Sequence, residues 1–216
     1  MQLKRVMKEA ELLREALKKS MDYPAYRDLV ARQARDGQTS GAVQSESLIH
    51  YTKMNHQRMR RWDRTLQLPE GIAAQLREQD MEQVWLVLTE TWCGDAAPVL
   101  PVMQAFAMQS PRIALRIALR DQHPDLIARY PTDGAMAIPK LLVLQPSPLR
   151  VLASWGPRPK LLMEKVRAYK AAHGGLSPEF RESLQRWYNQ DKGKAILAEL
   201  AALLALEDIG NGAFLR

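Results

Sequence analysis

Residues 83–89 read Gln-Val-Trp-Leu-Val-Leu-Thr, a strand-length run with five apolar residues in succession. A half-buried strand alternates apolar and polar positions. This one offers two greasy faces, so it must lie inside a sheet that is covered on both sides. That excludes a helix bundle and an open one-sided sheet, and it makes the surrounding chain supply helices above and below. The following residues meet the demand. Ala96 to about Gln109 has a helical pattern, and Arg112–Leu119 alternates as a second strand. Lys140–Leu144 and Arg150–Ser154 are two further strands joined through Pro146-Ser147-Pro148, and Arg158–Ala172 is helical up to His173-Gly174-Gly175. Asp121 is expected to cap a helix reaching Tyr130. The order β-α-β-α-β-β-α predicts an α/β fold, a mixed sheet flanked by helices.

Helices are also expected outside this unit. Leu3, Val6, Met7, Ala10, Leu13, Ala16 and Leu17 form one apolar stripe. Pro24 suits the first turn of a helix to about Arg35, and Asp36–Gly41 is a loop by composition. A longer helix spans about Ser45–Leu66, and Pro69 and Gly71 separate it from a short one around Ile72–Gln79. Ser177-Pro178-Glu179 opens a helix to about Tyr188, and Lys194–Leu206 is a last helix before a loose tail at Gly210-Asn211-Gly212. The expected division is a helical extension at 1–69, an α/β domain at 70–173 and a second helical extension at 174–216. The extensions would pack on the domain, cover part of it, or join two copies as a homodimer.

One constellation carries chemistry. Trp92-Cys93-Gly94-Asp95-Ala96 follows the buried strand directly and opens a helix. Pro101 lies nine residues after Trp92, and Ile138-Pro139 precedes the third strand, 46 residues after Cys93. Together these resemble the thioredoxin superfamily, in particular a bacterial branch with a Glu-Thr-Trp-Cys-Gly-Asp-Ala stretch and a downstream Trp-Gly-Pro-Arg-Pro. The resemblance covers about residues 83–172. It implies a thioredoxin-like fold, a cis-proline at Pro139 facing Cys93, and a groove shaped by Trp92, Gly94, Asp95, Ile138, Trp155 and Arg158. Apart from the resemblance, a cysteine at a helix N-terminus meets unpaired N–H groups and the positive end of the helix dipole. Those effects are expected to lower its pKa toward neutrality.

Two departures change what the resemblance implies. The second cysteine of the family motif is Ala96, so no internal thiol can resolve a mixed disulfide. The buried acid that many thioredoxins carry six residues before the cysteine falls on Val87. Asp95 would oppose thiolate formation, or act as a favourable acid in the first helical turn. Arg158 would hold a thiolate or a ligand carboxylate, or simply belong to a tight turn. The function expected is therefore monothiol: Cys93 as nucleophile toward protein or glutathione mixed disulfides, with glutathione as an outside co-substrate and no bound cofactor. The alternative is a redox-inactive module that binds a peptide or protein beside Pro139.

Composition removes other classes. Cys93 is the single cysteine, which excludes an intramolecular disulfide and a Cys-rich zinc site, and no histidine spacing suits a metal. The net charge of +7 is concentrated in residues 1–68, which hold 14 basic and 8 acidic side chains. Arg58, Arg60, Arg61 and Arg64 contribute a run that reads as a solvated helix face, so nucleic acid is not an expected partner. No apolar run reaches the length of a membrane span, and the N-terminus has no apolar signal core. A cytoplasmic location is expected.

Overall fold

The computed structural model describes residues 2–204, with side chains described from Met7 onward; the tail at Gly210-Asn211-Gly212 and the end of the last helix lie outside the described residues. Four helices precede the first strand: α1 (Gln2–Lys19), α2 (Tyr23–Asp36), α3 (Glu46–Thr65) and α4 (Glu70–Arg77). Then come β1 (Gln83–Thr89), α5 (Ala96–Ala107), β2 (Ile113–Leu119), a 3₁₀ turn at Arg120–Gln122, α6 (Pro124–Ile127), β3 (Lys140–Gln145) and β4 (Arg150–Trp155). Helices α7 (Lys160–His173), α8 (Pro178–Asp191) and α9 (Lys194–Leu204) follow.

The sheet order is β2-β1-β3-β4, with β1 parallel to β2 and antiparallel to β3, and β3 antiparallel to β4. The mixed sheet flanked by helices expected from the sequence is present. Trp85, Leu86, Val87 and Leu88 of β1 are all fully buried, so both faces of the central strand are covered, as its unbroken apolar run requires. Trp85 stacks on Phe106 of α5 with ring centroids 5.1 Å apart.

Local signals set the helix ends. Asp22 caps α2 through Ala25 N, Ser45 caps α3 through Leu48 N, and Ser177 caps α8 through Phe180 N. Gly37 takes a left-handed conformation (φ 66°) to close α2. One expectation fails here. Instead of a helix from Asp121 to Tyr130, the chain forms the 3₁₀ turn and the four-residue α6, because Pro124 bars helical geometry at the residue before it, and His123 (φ −134°, ψ 54°) breaks the two apart.

The terminal helices share the core rather than sit beside it. Leu13, Ala16, Tyr26 and Val30 from the N-terminal side pack in one hydrophobic cluster with the sheet, as do Leu184, Tyr188, Ile196 and Leu200 from the C-terminal side. The edge of β2 is protected as well. Met21 exchanges two 2.8 Å backbone hydrogen bonds with Ile117, and Arg116 reaches Ser20, so the strand presents fewer unpaired groups to a foreign chain.

Candidate functional site

The chain leaves β1 at Thr89 and enters α5 at Ala96, and the intervening turn carries the site. Its shape is held by Cys93 N donating to Glu90 O and Ala96 N donating to Cys93 O. Across from it the Ile138–Pro139 bond is cis, as the resemblance implied. The Cys93 thiol donates to the Ile138 carbonyl at 3.3 Å. Gly156, where β4 gives way to α7, presses on the same loop. A Cβ there would come within 2.3 Å of Pro139 O, and its φ of 111° excludes an ordinary side chain.

The electrostatics overturn one expectation. Cys93 is 6% exposed, and its pKa is pushed up to about 12 rather than down. Burial is the main cause and the Asp95 carboxylate the next, while the N–H groups of Ala96 and Asp95 and the Arg158 guanidinium pull the other way. Desolvation outweighs the helix N-terminus because helices from both chain ends close over the turn. Tyr26 of α2 donates to Glu90 O at 3.2 Å. Gln185 and Tyr188 of α8 donate to Gly94 O at 2.9 Å and to Asp95 Oδ1 at 3.1 Å. Burial and then the nearby Cys93 keep the Tyr26 phenol neutral; burial and then Asp95 do so for Tyr188.

Asp95 is neither a helix cap nor a free acid. Arg158 grips it through two hydrogen bonds, Nε to Oδ1 at 2.9 Å and Nη2 to Oδ2 at 2.5 Å. The Asp95 side chain makes no capping bond to α5. Arg158 is thus committed to an internal pair, and Asp95 holds its pKa above the usual arginine value despite burial. Trp155 is committed to another contact. It is buried, and its indole N–H donates to Glu199 of α9, whose other oxygen accepts from Lys160 N at the start of α7. Trp92 remains half-buried, with the Arg120 guanidinium 5.1 Å above its ring centre. The structure therefore brings Cys93, Gly94, Asp95, Ile138, Pro139 and Arg158 together, with the Trp155 indole bonded to α9.

Two residues escaped sequence reasoning. Val87 is buried, but an acid does sit below the site: Glu90, three residues before Cys93, is fully buried. It accepts from Ser40 Oγ and from Asp121 N (2.9 Å), and burial raises its pKa. A glutamate closing an apolar strand was the available signal. The second is Arg58. Unlike the exposed Arg60, Arg61 and Arg64, it turns inward, with Nη1 lying 3.9 Å from where a Cβ on Gly94 would be. The helix period placed it in a solvated run; only the docking of α3 over the turn shows otherwise.

The thioredoxin family model matches residues 41–170. Among solved structures, a protein of unknown function from Pseudomonas aeruginosa is similar at 18% identity and a TM-score of 0.61, covering 88% of this chain and 95% of that one. An HIV epitope-scaffold is similar at 19% identity and a TM-score of 0.54, covering 85% of this chain and 98% of that one. No curated protein matches the chain. Among the described residues, no helix is long and apolar enough to cross a membrane.

Proposed function

Because the chain belongs to the thioredoxin family, we propose that Cys93 is a single-cysteine nucleophile for disulfide exchange, held protonated in a resting form until the helices over it move. The observation that carries this reading is the sulfur's position, 3.3 Å from the Ile138 carbonyl and at the turn opening α5. A substrate sulfur reaching that turn would meet the thiol beside backbone able to pair with an extended chain.

The cycle needs an outside thiol. Cys93 loses its proton to water, and its thiolate attacks one sulfur of a protein–glutathione disulfide. Attack on the glutathione sulfur forms a Cys93–glutathione disulfide as the original S–S bond breaks, and the departing protein thiolate takes up a proton. A second glutathione thiolate then attacks the mixed disulfide, which releases Cys93 and forms glutathione disulfide. Overall one free glutathione thiol is oxidised to the disulfide level and the substrate protein's sulfur is reduced to a thiol, while the glutathione of the original mixed disulfide stays at the disulfide level. Such a cycle suits the reducing cytoplasm. The test is to incubate the chain with glutathione disulfide and weigh it. One glutathione on Cys93, released by dithiothreitol, is expected, and it should form faster in Tyr188→Ala, which thins the cover. Absence of the adduct in both proteins would refute the reading.

A second reading rests on the burial itself. A covered thiol with a pKa near 12 is the environment of an inert cysteine, which fits a redox-inactive binding module. Partners retained equally by wild type and Cys93→Ser, with no covalent adduct, would select it.

A further inference from the structure

Arg58 is the cation that the site leaves unanswered. Its Nη1 donates to Asn55 Oδ1 at 3.1 Å, and Asn55 in turn anchors the turn by donating to Thr91 O at 2.9 Å. Among the described residues, no carboxylate lies within ion-pair distance of Arg58. Of the groups that favour its charge, Tyr51 is a phenol and Asp95 is already occupied by Arg158 and Tyr188. Arg61, one turn along α3, adds a second positive charge and donates its hydrogen bond to the neutral Asn189 of α8. Burial and the neighbouring Arg61 both work against the Arg58 charge. A half-buried guanidinium flanked by another and lacking a counter-ion has unused N–H donors in a partly dry setting, where an anion gains most.

From this we infer that Arg58 is the recognition point for a carboxylate on the small thiol or disulfide that meets Cys93. The inference rests on the proposed thiol exchange for its choice of ligand, but not for the anion site itself. Position favours a small ligand. Gly94 lies near both Arg58 and Gln185, and Ile138 is only 7% exposed, so little backbone beside the thiol is open to an extended polypeptide and a short peptide thiol is the better fit. Because Gly94 has no side chain, the guanidinium faces the turn directly: even a Cβ there would stand in contact with Arg58 Nη1 at 3.9 Å and Gln185 Nε2 at 3.7 Å. Glutathione, with two carboxylates set away from its sulfur, has the chemistry required. Arg58 is a binding residue here, and Arg158 is not.

The probe is S-methylglutathione, which keeps both carboxylates and cannot exchange disulfides. Its binding to the full chain is measured by calorimetry for wild type, Arg58→Gln and Arg58→Lys, alongside its diethyl ester. Expected are saturable binding to wild type, at least tenfold weakening in Arg58→Gln, partial retention in Arg58→Lys and little binding of the ester. Equal affinity of wild type and Arg58→Gln, or no binding to wild type at millimolar probe, overturns the inference. Arg58→Gln loses one hydrogen bond at a half-exposed position and should melt with the wild type, which circular dichroism checks. Glutathione adduct formation at Cys93 is followed in the same samples. Binding that depends on Arg58 without adduct would sink the exchange reading and leave the anion site; adduct formation with binding indifferent to Arg58 would do the reverse.

Discussion

Replacing Asp95 by asparagine should make Cys93 more reactive while making the protein less stable. A free cysteine with a pKa near 8.5 is about 3% thiolate at pH 7. With its pKa pushed up to about 12, Cys93 is ~0.001% thiolate, so alkylation of the folded chain should be about three thousandfold slower than that of the unfolded chain. Asp95→Asn removes the second cause of that rise and frees Arg158 to face the sulfur. Every ~1.4 kcal/mol of interaction removed is worth tenfold in thiolate. A gain of tenfold or more is expected, with the rate still below that of unfolded chain because burial, the larger cause, persists. The same change breaks a pair whose side chains are 15% and 11% exposed, which costs about 3 kcal/mol or somewhat less, since asparagine keeps an acceptor for Tyr188. Iodoacetamide kinetics from pH 6 to 10, read by mass spectrometry, are compared with urea unfolding of the same samples. Arg158→Gln is the control: it breaks the same pair and loosens the fold, but it should slow alkylation by removing the favourable charge. Native wild type reacting within tenfold of the unfolded chain, or both variants speeding alkylation equally, would refute the electrostatic account.

Other expectations concern the frame of the site. Lys140 is 4% exposed, has Thr132 Oγ1 at 2.5 Å, and has its pKa lowered by burial to about 8. Against an unfolded value near 10.4 this costs up to ~3 kcal/mol at neutral pH, a penalty that is full below pH 8 and fades as pH rises through the unfolded value. Lys140→Met should therefore stabilise the fold at pH 7 in urea titrations and lose that advantage above pH 10. Glu90, whose pKa is raised by burial, contributes stability at low pH that disappears as pH climbs through its folded value; Glu90→Gln should flatten the stability profile just above pH 4.5. Gly156→Ala should cost at least ~2 kcal/mol by thermal melting, since its methyl would meet the Pro139 carbonyl at 2.3 Å in a left-handed backbone.

Much of this protein is written locally. The apolar run at 83–89 demanded a sheet covered on both faces, capping residues at Asp22, Ser45 and Ser177 mark three helix starts, and Cys93 with Pro139 announces the turn and the loop that meet. Periodicity, capping and turn chemistry act within a few residues, so a linear reading captures them. The reactivity of the sulfur is of another kind. Its ionisation depends on how much water reaches it and on which charges stand near it. Those come from Tyr26, 67 positions earlier, from Arg158 and from Tyr188, 95 positions later. The sequence placed Arg58 on a solvated helix face and Arg158 at the groove or in a tight turn; docking of α3 turned the first toward the site without a carboxylate, while Asp95 claimed the second. Desolvation and Coulomb energy are sums over neighbours in space, which the order of residues does not contain, and so the chain specified where the thiol sits while packing decided what it can do.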